Sequence, residues 1–216
     1  MKLHLLWDKM GVIFQYPDDI EDVFLPLLRT RQMIDENAFR ALYYRKLSIG
    51  RITSEAFFDS LGIDGQQVLS EYIPHLRIDP DFIKTAQELA KTYELSILSN
   101  DVIEWHEAQR RYFQLDDVIT HHFISGELGM RKPDGTVYDT VVQRLRTTPD
   151  RCIYTDNLLK NLEPAGKKGM TTIHFDREGN IKEDNGFEPN FTVHSLHELK
   201  NILQNTSVRD TYNNTI

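Results

Sequence analysis

The chain is nearly devoid of cysteine. Cys152 is the single one in 216 residues, so no intrachain disulfide can form and the fold must rest on a buried core. That usage suits a reducing, cytoplasmic setting, and Cys152 itself reads as a small core hydrophobe. Long apolar runs are also missing. No stretch approaches the ~18 residues of a membrane span, and the apolar start of "MKLHLLWDK" is ended too early by charge for a secretory leader. Positive charge is in deficit: 25 Lys and Arg stand against 33 Asp and Glu, a formal net charge of −8. Nucleic-acid binding needs clustered Lys and Arg against phosphates, so neither nucleic acid nor membrane is an expected partner. The basic clusters "RKLSIGR", "QRRYF" and "GKKGM" are short and read as solvated faces. No fixed-period repeat and no low-complexity segment occurs.

What is present is ordinary for a globular chain, 40% hydrophobic and 27% charged residues, in a length that suits one domain with a modest insertion. "LHLLW", "ELSILS", "CIYT", "TTIHF" and "FTVHS" read as short strands. Helical patterns separate them, in "DPDFIKTAQELAKTY", "IEWHEAQRRYF", "TVYDTVVQRLR", "LLKNLEPAGKKG" and "LHELKNIL". That alternation predicts an α/β fold, a Rossmann-like three-layer core around a parallel sheet. Asp79 with Pro80 reads as a helix start. Residues 16–78 hold only helical patterns, with Thr53 or Ser54 as a cap residue. They read as an inserted helical cap on a core made of residues 1–15 and 79–204. The polar tail 205–216 reads as frayed, and "FDREGNIKEDNG" as a turn-rich surface loop.

Ligands of open parallel sheets bind beyond the carboxyl ends of the strands. Asp8 follows the first strand, Ser99 and Asn100 the second, Lys132 lies in "GELGMRKPDGTVYD", and Asp156 with Asn157 follows "CIYT". Each alone is a common turn or surface residue. Two carboxylates, a hydroxyl and an ammonium in one crevice suit a divalent cation and a phosphate together.

At these residues the sequence resembles the haloacid dehalogenase-like (HAD) hydrolases over nearly its whole length. "LLWDKMGVIF", "LSILSN", "SGELGMRKPDGTVYD" and "CIYTDNLLKNLEPAGKKGM" stand for the family's four motifs, and the insertion is similar to its small-cap class. The resemblance implies a Mg²⁺-dependent phosphatase acting on a small phosphorylated molecule. Asp8 would be the nucleophile, forming an aspartyl phosphate. Asp8, Asp156 and the backbone carbonyl of Met10 would hold Mg²⁺. Ser99, Asn100 and Lys132 would bind the transferring group, with Lys132 also neutralising charge.

Two positions depart from the family's pattern. Met10 stands where the phosphatases carry a second Asp, the acid–base of the reaction, and a thioether transfers no proton. Asn157 stands where the fourth motif has a second acidic residue. Three readings follow: a working phosphatase that prefers good leaving groups or uses a substitute acid (His106, Lys9 or a cap residue), a haloacid dehalogenase, whose halide leaves unprotonated, or an impaired relative that binds a phosphorylated ligand or partner. Tyr43, Tyr44 and Arg45 fall near the expected cap entrance, at a spacing that suits cap core. His121 and His122 are adjacent and point apart, a poor metal pair.

Overall fold

Alternation of apolar residues on short strands organises the structure, a computed structural model that describes residues 2–31, 35–177, 179 and 186–204. The tail, most of the 175–186 loop, and the side chains of Tyr44 and Arg45 lie outside the described residues. Six strands form one sheet: β1 Leu3–Trp7, β2 Tyr93–Ser99, β3 His121–Ile124, β4 Cys152–Asp156, β5 Thr171–Phe175 and β6 Phe191–Val193. Their order is β3-β2-β1-β4-β5-β6, and every pair is parallel. The period of two sends Leu5, Trp7, Ile97 and Ile153 to one face and Leu6, Leu98 and Tyr154 to the other. Helices cover both faces, which is why the central strands read as unbroken apolar runs.

The helices are α1 Leu25–Arg29, α2 Glu36–Arg45, α3 Ser54–Leu61, α4 Gly65–His75, α5 Phe82–Leu89, α6 Ile103–Tyr112, α7 Ser125–Leu128, α8 Gly135–Leu145, α9 Leu159–Lys167 and α10 Leu196–Gln204. A π-helical turn, Ile20–Phe24, precedes α1. Two details differ from the sequence reading. β3 is missing from the five strands named above, although His121 and His122 read as strand neighbours, because "HHFI" offers only two buried residues, too few to show a period. Within the helical segment 16–78, α4 has the weakest local signal, since it opens on Gly65 and carries Pro74, both weak helix formers; Asp64 secures its start by accepting from the Gln67 amide at 3.0 Å. Asp79 and Pro80 form a turn before α5 rather than its first residues: the Asp79 side chain accepts from the Asp81 amide at 2.9 Å, and the helix begins at Phe82. Thr53 caps α3, accepting from the Ala56 amide at 3.1 Å.

Between β1 and β2 the described residues add no strand to the sheet. The chain leaves and re-enters the core on adjacent paths, with the Gln15 amide donating to the Arg77 carbonyl and the Asp79 amide to the Ile13 carbonyl, each at 2.9 Å. Arg177 pins this double connection, donating to Asp79 at 2.6 Å and to the Val12 carbonyl at 3.0 Å. The helical segment attaches through aromatic packing on Trp105 of α6. Phe24 stacks on its ring at a centroid distance of 4.7 Å, with Phe58 and Tyr72 at 5.8 Å. Among the described residues no helix is long and apolar enough to cross a membrane.

Candidate active site

In a sheet of this order, strand direction of growth reverses between β1 and β4, and a crevice opens beyond their carboxyl ends. The register places Trp7 opposite Thr155. The Asp8 amide continues the pairing by donating to the Thr155 carbonyl at 2.8 Å. Asp8 and Asp156 are thereby delivered side by side. Lys132 enters from the loop before α8. Its Nζ lies 2.8 Å from Asp8 Oδ1 and 2.8 Å from Asp156 Oδ2, and donates to the Leu98 carbonyl at 3.0 Å. Residues 8, 132 and 156, which the sequence reading brought to one crevice, are in direct contact.

All three groups are buried, so the charge balance matters. Two carboxylates and one ammonium leave an excess negative charge. Burial, followed by the charge of Asp156, pushes the Asp8 carboxyl up to about 7 against the opposing pull of Lys132. Burial works against the Lys132 ammonium, yet Asp156 and Asp8 outweigh it and hold its proton more tightly than usual. Asp156 is wholly enclosed. It accepts from Lys132 and Tyr154, from Asn161 Nδ2 at 3.1 Å, and from the Leu158 amide at 2.8 Å.

Those donors occupy the roughly four lone-pair positions of a carboxylate. A cation therefore reaches Asp156 only by displacing one of them, a difference from its expected role as a ligand. Among the described residues no three His, Cys, Asp or Glu side chains group as a metal site. A divalent cation nevertheless fits the wall through other donors. The Asn157 side chain is buried with neither its oxygen nor its nitrogen hydrogen-bonded, and no backbone hydrogen bond among the described residues ends on the Met10 carbonyl. Asp8, Met10 and Asn157 line one cavity, and the uncompensated negative charge behind them favours a cation. Mg²⁺ takes few protein ligands, keeping water and phosphate oxygens for the rest.

The cavity holds about 100 Å³ and is also lined by Asp19, Asn100, Arg131 and Lys132. Asn100 faces it, but its side chain is committed to the Lys132 peptide, donating to the carbonyl at 3.0 Å and accepting from the amide at 2.8 Å. It shapes the lysine loop. Ser99 is buried at the end of β2 and is absent from the cavity lining. Tyr43 reaches the lining from α2. Arg131 and Asp19 are among the wall residues that the sequence pattern does not single out. Arg131, which also donates to Ser48 Oγ at 2.8 Å, adds a second cation beside Lys132; its place in "GMRKPDG" was the available signal. Asp19 has no such signal, since an Asp ahead of an apolar helical run looks like a cap. His121 and His122 do point apart. His121 meets Glu94 at 2.6 Å, and His122 meets His106 at 3.0 Å.

No family model matches the chain. It is 26% identical over 189 residues to the (S)-2-haloacid dehalogenase 4A of Burkholderia cepacia, covering 83% of this chain and 81% of that one. It is 25% identical over 141 residues to the glyceraldehyde 3-phosphate phosphatase of Methanopyrus kandleri, covering 60% of this chain and 58% of that one. A HAD-family enzyme of Bacteroides thetaiotaomicron, solved with magnesium and inorganic phosphate, superposes with a TM-score of 0.70 at 18% identity, over 87% of this chain and 100% of that one. Curated relatives and structural neighbours alike point to the haloacid dehalogenase-like hydrolases. The six-stranded parallel sheet with its flanking helices is their Rossmann-like α/β fold.

Proposed function

We propose that this chain is a Mg²⁺-assisted phosphatase acting on a small phosphorylated molecule, with residues 16–78 as its cap. The observation that carries the reading is the ammonium of Lys132, 2.8 Å from Asp8, in a cavity whose wall adds Arg131 and the unpartnered amide of Asn157. With a divalent cation offsetting the excess negative charge of the carboxylates, such a wall would accept a dianion that meets a carboxylate nucleophile. Asp8 attacks phosphorus through a carboxylate oxygen, the ester P–O bond breaks, and the phosphoryl group passes to Asp8. Lys132 stays protonated throughout and offsets the charge shared by Asp8 and the phosphoryl oxygens. Asn100 fixes the lysine loop. Asp8, the Met10 carbonyl and Asn157 would hold Mg²⁺, which supplies further charge neutralisation at the phosphoryl oxygens.

A second reading, a haloacid dehalogenase, draws support from the saturated donors on Asp156 and from the dehalogenase relative. There Asp8 would displace halide from carbon, and neither a cation nor an acid at position 10 is needed. A single paired assay separates the two. Phosphate release from a panel of phosphate esters and halide release from 2-chloropropionate are followed with and without Mg²⁺, beside Asp8→Asn. The phosphatase reading expects Mg²⁺-stimulated phosphate release that Asp8→Asn abolishes. Halide release indifferent to chelator contradicts it, and inactivity in both arms leaves the impaired, ligand-binding relative.

A further inference from the structure

Met10 lines the cavity and can transfer no proton, so an alkyl leaving group requires an acid from elsewhere on the wall. Two groups weighed from the sequence are excluded by position. Lys9 is fully buried behind the cavity, bonded to Asp101 and Gln109. His106 touches Lys9 from the far side, at 3.3 Å, and burial holds its ring neutral. On the wall itself, Lys132 is locked between two carboxylates. Asp18 is only half-buried, and its Oδ1 accepts from the amides of Ile20 at 3.0 Å and Glu21 at 3.2 Å. Asp19 is the more enclosed of the two. It is buried, lines the same cavity as Asp8, and is held by the phenol of Tyr72, which donates to its Oδ2.

We propose that Asp19 is the general acid–base of this site, handing a proton to the leaving oxygen from the helical side of the cavity in place of the carboxylate absent at Met10. The assignment rests on the phosphatase reading above. Asp8 forms its bond to phosphorus as the ester bond breaks. The electron pair stays on the leaving oxygen, which takes the proton of Asp19 and departs as an alcohol. Asp19, now a carboxylate, takes a proton from water as that water attacks the aspartyl phosphate. Phosphate leaves, Asp8 is free again, and Asp19 is protonated again.

The surroundings suit this cycle. Burial and then the nearby charge of Asp101 raise the Asp19 carboxyl to about 7, helped by Asp18 and opposed by the Tyr72 hydrogen bond and by Lys9. An acid with a pKa near the working pH is protonated for the first step and still basic enough for the second. Arg131 and Tyr43 also face this cavity. The position is economical, because Asp19 opens the first helical turn after β1 and would move with the cap.

Asp19→Asn keeps an acceptor for Tyr72 and separates the possibilities. The kcat/KM of an alkyl phosphate, which reports phosphoryl transfer to Asp8, should fall by ~10²–10³-fold, while that of p-nitrophenyl phosphate, whose leaving group departs unprotonated, should fall far less; kcat should drop for both, because the shared hydrolysis of the aspartyl phosphate loses its base. The alkaline limb of the alkyl-ester pH profile should disappear. Tyr72→Phe removes a bond that favours the carboxylate, so it should move that limb to higher pH without abolishing activity. Equal losses in kcat/KM for both esters in Asp19→Asn would make Asp19 structural and overturn the proposal. If Asp19→Asn does not fold, the limb in Tyr72→Phe decides: movement supports the assignment and a fixed limb overturns it. Wild-type protein that cleaves neither ester defeats the phosphatase reading itself, and this assignment with it.

Discussion

A β-carbon placed on Gly11 would lie 2.5 Å from Nδ2 of Asn157. The first and fourth motifs therefore meet with no room for even a methyl group. The Gly11 backbone also has φ +76°, a left-handed value that costs an L-residue ~1–2 kcal/mol. Gly11→Ala should lower stability by at least that amount, read as a lower urea midpoint, and should displace Asn157 with a loss of Mg²⁺ affinity. An unchanged midpoint and affinity would mean that the two motifs are not this tightly joined.

Among the described residues Lys132 is the one positive charge bonded to both Asp8 and Asp156. Removing one partner of a buried ion pair costs about 3–5 kcal/mol, so Lys132→Met should be strongly destabilised at pH 8. The sign of its pH dependence follows from linkage. Without the ammonium, Asp8 loses the pull that opposes its burial and its carboxyl rises further in the folded state, which then holds a proton that the unfolded chain has released. Stability thus falls as pH rises, and the variant should recover on going from pH 8 to pH 5. A deficit equal at both values, measured by urea unfolding, would contradict the charge balance described for the site.

Trp105 joins the helical segment to the core. Besides Phe24, Phe58 and Tyr72, it is ringed by Tyr43 and Phe57, and its indole N–H donates to Ser54 Oγ at 2.7 Å. Trp105→Ala should cost about 3–5 kcal/mol and leave Ser54 without its donor. Because the chain has 2 tryptophans, the variant reports through Trp7 alone. Trypsin should cut first within residues 16–78, whereas cleavage unchanged from wild type would deny Trp105 this anchoring role.

Much of this architecture is legible in residue patterns, and the exceptions have physical causes. The buried strands announce themselves because a sheet covered on both faces needs continuous apolar runs. Asp8, Lys132 and Asp156 are legible because the order of strand ends fixes where they meet. β3 is hidden by its length and its two histidines. Asp19 is hidden because its role depends on burial beneath Tyr72, 53 residues away, and no local pattern encodes that contact. The saturation of Asp156 likewise depends on Tyr154, whose place two positions earlier on the same strand reads only as core.

His122 provides a pH signature away from the cavity. Burial, and then Arg110, lower its pKa to about 4 despite Asp116 at 3.1 Å. Between about pH 4 and the ordinary histidine value of ~6.5, the unfolded chain binds a proton at this site that the folded chain refuses. Stability from this group falls as pH drops through that window. His122→Gln should therefore lose less stability than wild type between pH 7 and pH 5, by denaturant titration at each pH. A parallel loss in both proteins would show that His122 is charged in the fold.

The central claim is that Asp8 carries the phosphoryl group. Its most direct test is an acid quench of the Mg²⁺-loaded protein during turnover of radiolabelled acetyl phosphate, followed by peptide mapping. The expected result is a hydroxylamine-sensitive label on the peptide containing Asp8, present in wild type and lost in Asp8→Asn. Label on another residue, or phosphate release that persists in Asp8→Asn, would contradict the account.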